Sequence, residues 1–142
     1  MNGQGAYLAG SRWSSAGRRL TFTSEHLSLA ILEFFVHLDV EDAPNDLVSV
    51  VASIPDDISR ISIRLADLPV NWRTEPPSID LRKMDTRKIG DAFLVKGEAA
   101  VLIVPSAVVP SEHNWLINPD HKDAKRIRVV AQDKFRFDPR MF

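Results

Sequence analysis

Three residues, Arg12, Glu33 and Ser106, are of types and in places that invite chemistry. Arg12 lies in a Gly/Ser-rich stretch, Gly10-Ser11-Arg12-Trp13. Its guanidinium is a fixed cation whose fork of donors suits a diphosphate. Glu33 follows inside a segment, Leu27 to Leu38, that is apolar almost all the way round. An acid in such company is expensive to desolvate, so it needs a partner or a purpose. A desolvated carboxylate can accept hydrogen bonds from a ribose hydroxyl. It can also stabilise positive charge on a sugar ring in an oxocarbenium-like transition state, through preorganised electrostatics in a dry site. Ser106 follows an apolar run that ends at Pro105 and could hold either the glutamate or the ligand. The bland alternative satisfies Glu33 locally through His37, one helical turn on, and makes Ser106 a turn residue. Spacing alone leaves both readings open.

Other chemistries have weaker support. The four His and the carboxylates show no HExxH-like pattern, and the interval from His113 to His121 is too loose to indicate a metal, so no metal is expected. There is no GxSxG, which argues against a serine hydrolase. The N-terminal glycines form neither a P-loop nor a GxGxxG set between a strand and a helix. Cysteine is absent, which removes disulfides and thiolate metal sites.

The elements that must carry these residues can be read from patterning. Residues 1–19, rich in Gly and Ser, read as a loop. Arg19 to Thr23 alternates like a short strand. Ser24 is then a plausible N-cap, with Glu25 in the first turn of a helix that runs to about Leu38. Leu27, Ala30, Ile31, Phe34, Phe35 and Leu38 form its main stripe, and Leu29, Leu32 and Val36 fill the opposite side, which predicts a buried helix. Residues 39–46 read as an exposed acidic loop. Strands are expected over Leu47–Ile54 and Ile58–Leu65, an irregular connection around Trp72 over 66–80, and a second helix over 84–95. Ala99–Val104 has the look of a buried strand. Arg126–Val130 and Lys134–Phe137 alternate like two more. Helices and strands are mixed, which gives an α/β (mixed α+β) class with a partly antiparallel sheet.

The 142 residues suit one domain, 1–142, with room for a real core. A net charge of −1 argues against a general nucleic-acid binder. No signal peptide or membrane-spanning run is visible, and a cytoplasmic location fits.

The combination of segments resembles the RES-domain toxins, named for an Arg, a Glu and a Ser. The matching pieces are Gly3-Gln4-Gly5-Ala6, Gly10-Ser11-Arg12-Trp13, Phe22-Thr23, Leu29-Ala30-Ile31-Leu32-Glu33 and Val104-Pro105-Ser106-Ala107-Val108, with Asn114 through His121 continuing the match. The resemblance implies a fold like that of the ADP-ribosyltransferase toxins. It implies NAD as substrate, with cleavage between nicotinamide and ribose and transfer to water or phosphate, or in some members to a protein. It implies an Xre-type antitoxin that blocks the NAD pocket. By position, Arg12 matches the phosphate-holding arginine, Glu33 the catalytic glutamate and Ser106 the third catalytic position. Trp13, Phe22, Asn114 and Asn118 join Arg12 and Ser106 as substrate-binding candidates. The family usually begins with another strand that carries a Tyr-Arg or Trp-Arg pair, with no counterpart here; the open edge would suit a second copy of the chain. Phe22 stands where the family has a tyrosine, so it can stack but cannot donate a hydrogen bond. These departures keep a further alternative in view, a binding module without turnover.

Overall fold

A computed structural model describes residues 2–38, 44–73 and 85–141. The expected loop at 39–46 and connection at 66–80 therefore lie partly outside the described residues, as does the first residue of the expected helix at 84–95.

The centre is a four-stranded sheet built from β1 (Thr21–Ser24), β3 (Arg60–Ser62), β4 (Val101–Pro105) and β5 (His113–Ile117), in the order β1-β5-β4-β3. β1–β5 and β5–β4 are antiparallel and β3–β4 is parallel, so the sheet is mixed, as the patterning implied. β4 is buried on both faces, which is why its sequence is a continuous apolar run rather than an alternation. Leu102, Val104 and Leu116 face one side and pack with Trp13, Trp72 and Phe93. Val101 and Ile117 face the other side, with Ile58, Ala100 and Ile127. Each of these fully buried aliphatic side chains contributes roughly 1.5–3 kcal/mol.

A separate antiparallel ribbon pairs β2 (Val48–Ser53) with β6 (Arg128–Lys134), with a register shift between Val51 and Ala52. β6 replaces the two strands expected over 126–130 and 134–137. The chain beyond it carries Phe135 and Phe137 to aromatic contacts instead: Phe137 lies 6.2 Å from Phe34 and 5.7 Å from Phe35, centroid to centroid.

Helix α1 (Gln4–Ala9) falls where a loop was expected. Its glycines act as punctuation: Gly3 and Gly10, both at positive φ, bracket a run of residues with no strong helix breaker except Gly5. Helix α3 (Thr86–Lys96) starts at an Asp85 cap, whose carboxylate accepts from Arg87 N at 2.6 Å, and stops at Gly97 with φ 60°.

Helix α2 (Leu27–Phe35) departs most from expectation. Of its residues only Leu29 is buried, while Leu27 is 55% and Phe34 44% exposed, and Val36 just beyond its end is 53% exposed. The inward line runs through Leu29 and Glu33, one turn apart; of the expected stripe Leu27 and Phe34 are exposed and Ala30, Ile31, Phe35 and Leu38 are half-buried, while Leu32 and Val36 are exposed as well. Ser24 does not cap it. β1 continues through Ser24 in register with Asn114, and the helix begins after His26, which makes no side-chain cap. Among the described residues no helix is long and apolar enough to cross a membrane.

Candidate functional site

The sheet register explains how separate segments meet. Phe22 sits opposite Leu116, and Ser24 opposite Asn114, which in turn lies opposite Val104. Cross-strand partners share a face. Phe22, Ser24 and Asn114 therefore lie on one side of the sheet, with Ser106 just past the end of β4. Helix α2 leaves the end of β1 and lays Glu33 over this group.

Glu33 Oε1 accepts from Ser106 Oγ at 2.7 Å and from Asn114 Nδ2 at 2.5 Å. Ser24 Oγ donates to Asn114 Oδ1 at 2.7 Å, which turns the amide nitrogen toward the carboxylate. Ser106 is fully buried, and its oxygen also accepts from Val108 N at 3.0 Å and Val109 N at 2.9 Å. One hydroxyl thus fixes the turn after β4 and the rotamer of Glu33 together. The second carboxylate oxygen, Oε2, has no hydrogen-bond partner among the described residues. The local pairing of Glu33 with His37 is not made.

This arrangement makes a prediction about stability. Ser106→Ala would strand two backbone N–H groups in the interior, at about 1–3 kcal/mol each. A total loss of about 2–6 kcal/mol is expected, read as a lower urea midpoint. A midpoint unchanged from wild type would mean that the hydroxyl faces only the ligand.

Arg12 is placed by backbone contacts on both sides. Its Nη1 donates to Trp72 O at 2.6 Å, and its own carbonyl accepts from Thr86 Oγ1 at 2.6 Å. Within the loop, Ser11 N donates to Ser14 O at 2.8 Å and the two serine hydroxyls lie 2.9 Å apart. Ser15 is tied to Asp91 of α3 by its N–H at 3.0 Å and its hydroxyl at 2.6 Å. Burial pushes the Arg12 pKa down from its ordinary value, and the charge of Glu33 pulls it partly back up. The two charged groups therefore share an electrostatic environment, yet no ion pair within 4 Å joins them. Among the described residues the guanidinium keeps donors, and the carboxylate an oxygen, without a protein partner.

The remaining candidates separate. Phe22 is 44% exposed on the same face as Glu33, open to a planar ring. Trp13 is only 3% exposed and packs at 6.0 Å from Trp72, so its ring anchors the loop and offers almost no surface to a ligand. Asn114 is brought to the cluster. Asn118 is not: it directly follows β5, four residues beyond Asn114 and about 13 Å from it at the rise of an extended strand. Its Oδ1 accepts from Asp120 N at 3.1 Å.

Sequence reasoning missed Ser24 as a member of the group. The signal was its alternation with Phe22, which places both on one face once β1 is continued to residue 24. It also missed Glu25, His26 and Glu112, each of which puts one ligand atom within 4.8 Å of the others. Glu25 and His26 are exposed, as is ordinary for acidic surface groups. Glu25 accepts from His113 N at 3.0 Å.

Comparison with known proteins bears on this geometry. A family model described as RES domain matches residues 1–138. A protein of Sphingobium sp. named Prs ADP-ribosylating toxin is 34% identical over 143 residues, covering 99% of this chain and 86% of the relative. A protein of Pseudomonas putida named Toxin Res is 33% identical over 144 residues, covering 100% of this chain and 92% of the relative. A further Toxin Res, from Photorhabdus laumondii, is 34% identical over 142 residues, covering 99% of this chain and 86% of the relative.

Proposed function

The chain belongs to the RES-domain family, and from that premise we propose that it is the toxin of a toxin–antitoxin module and degrades NAD. The bond between the nicotinamide nitrogen and ribose C1 breaks, and its electron pair leaves with nicotinamide. An oxygen of water or phosphate forms the new bond at C1; water releases a proton as it does so. NAD is a substrate here, and no metal has a part in the step. The observation that carries this reading is the state of Glu33. Its carboxylate is clamped at Oε1 by Ser106 and Asn114 and has no partner at Oε2 among the described residues, within electrostatic reach of Arg12 and over the sheet face that carries the exposed Phe22.

The roles follow from charge and shape. Arg12, steadied by the Trp72 carbonyl, binds the diphosphate. Phe22 packs on nicotinamide or its ribose. Oε2 of Glu33 accepts from a ribose hydroxyl in the ground state and stabilises the cationic ribose in the transition state. Ser106 and Asn114 hold the carboxylate in the reactive orientation. Trp13 acts through the Arg12 loop, and Asn118 stands apart from the reaction.

The test is chromatography of NAD incubated with the purified chain, with and without inorganic phosphate. Nicotinamide should appear in step with NAD loss. ADP-ribose should accompany it in water, and a phosphorylated ADP-ribose should replace it where phosphate is the acceptor. NAD that survives equimolar protein intact would overturn the proposal.

A second reading is favoured by one observation, the name of the Sphingobium relative. In it the acceptor is a host protein, and labelled NAD would mark a discrete protein in a lysate. Label confined to small molecules would exclude it. The proposed partner is an antitoxin of the Xre type. The outward apolar residues Leu27, Phe34 and Val36 and the exposed valines of the β2–β6 ribbon offer the kind of surface that a protein partner, or a second copy of this chain, covers.

A further inference from the structure

At the end of the sheet away from Glu33 lies a cavity of about 640 Å³, within the range of small-molecule sites. None of Arg12, Phe22, Glu33, Ser106 or Asn114 lines it. Its walls come from the chain after β5, from the end of α3, from α1 and from the segment that leads into β1.

Two of its lining side chains are almost wholly buried and each presents one unused donor. Asn118 is 5% exposed. Its Oδ1 is committed to Asp120 N, and its Nδ2 has no partner among the described residues. The His121 side chain is 7% exposed. Its Nδ1 accepts from Asp123 N at 3.1 Å, which leaves the ring proton on Nε2, and Nε2 has no partner among the described residues. The two side chains are held nearly buried while these N–H groups open onto the cavity, where an acceptor can meet them.

The cations around them indicate what that acceptor is. Arg18, Arg19 and Lys122 line the same cavity, against one lining acid, Asp120. Arg18 spends its Nε on Asp91 at 3.3 Å. The Arg19 guanidinium lies 5.8 Å from the centroid of the half-exposed Tyr7 ring, which also lines the cavity. Apart from Asp120 and the Tyr7 hydroxyl, which can also accept, the unused side-chain groups are donors. A neutral sugar or an amide can accept from the N–H groups but leaves the cations without a counter-charge, and a cation would be repelled. A phosphoryl group matches both the donors and the charge. The space exceeds that of one phosphate, and Tyr7 gives a planar ring a surface to rest on.

We propose that this cavity is a second ligand site, separate from the Glu33 centre, that takes the phosphoryl group of a nucleotide-sized molecule through Asn118, His121, Arg19 and Lys122.

The test uses the full chain with inorganic phosphate and with ADP as probes, followed by phosphorus NMR line broadening. Arg12→Ala separates this site from the one proposed at Glu33. Binding of both probes should persist in Arg12→Ala. It should weaken at least about tenfold in the double variant Arg19→Glu, Lys122→Glu, the effect of losing charge-assisted contacts. Asn118→Asp should weaken it similarly. That variant keeps the oxygen that holds the turn at Asp120 and exchanges only the donor for an acceptor. The surface double variant tests the site even if Asn118→Asp unfolds. Tighter binding of ADP than of phosphate supports occupancy by a nucleotide. Binding lost in Arg12→Ala but unchanged in both other variants would overturn the proposal, as would equal broadening of both probes in all forms.

Discussion

Glu33→Gln is expected to lower nicotinamide release from NAD by about 10²–10³-fold, the size of effect seen when one preorganised electrostatic group is removed from a reaction centre. The reason lies in which oxygen is already occupied. Oε1 accepts from two donors, Ser106 Oγ and Asn114 Nδ2. In the variant only the amide oxygen can take that position, because the amide nitrogen would meet two donors. The nitrogen is therefore forced into the place of Oε2. In the proposed mechanism a donor then points at the ribose where an acceptor was, and the negative charge that would steady the cationic sugar is gone. Folding should survive, since both hydrogen bonds at Oε1 are kept and a partly buried charge is removed. A melting temperature at or above that of wild type is the expected control. Equal rates of release by wild type and variant would remove Glu33 from the reaction, while a variant that loses both activity and fold would speak only of structure.

How far the site could be read from the sequence depended on what each residue rests upon. Glu33 stood out because an acid in an apolar helix demands explanation on desolvation grounds, whereas spacing alone left its link to Arg12 and Ser106 open and the resemblance to the RES-domain toxins grouped the three. The mixed sheet was legible because β4 is an uninterrupted apolar run and β1 alternates. The orientation of α2 was not. Apolar groups lie on nearly every side of it, so the pattern carries no direction. The bonds to Ser106 and Asn114 draw Glu33 inward beside Leu29, and Leu27, Leu32, Phe34 and Val36 are left exposed. Helix α1 was hidden by glycines that read as loop formers and serve as its ends. Ser24 was misread because a hydroxyl before a helix is a good cap in isolation. Its competing partner, Asn114, lies ninety positions away. Asn118 was grouped with Asn114 because both lie in the segment that carries the resemblance, but four residues of extended chain separate them in space. The register of β1 on β5 was the missing information in most of these cases, and no local pattern supplies it.

Gly90→Ala is expected to destabilise the protein by about 2 kcal/mol or more, even though alanine is the better helix former by about 1 kcal/mol. Gly90 is buried in the middle of α3, and a methyl there would overlap the Trp13 carbonyl oxygen. Backbone obstructs backbone at this point, so no flexible side chain can swing aside. The glycine therefore reflects close packing of α3 against the Arg12 loop. Thr86 and Asp91 grip the same loop from either side of it. A fall in melting temperature of roughly 6–8 °C is the expected size for a chain of this length. The Michaelis constant for NAD should rise with it, because a displaced Trp13 carries Arg12 away from the diphosphate. Gly5→Ala provides the comparison. That glycine also lies within a helix, but nothing stands within 4 Å of where its methyl would go. The same exchange there should be neutral or raise the melting temperature by the gain in helix propensity. Opposite signs at the two positions would establish that the contact between α3 and Trp13 sets the position of Arg12. A rise in melting temperature at both, with an unchanged Michaelis constant, would show that the loop can retreat freely and that Arg12 is positioned by the Trp72 carbonyl alone.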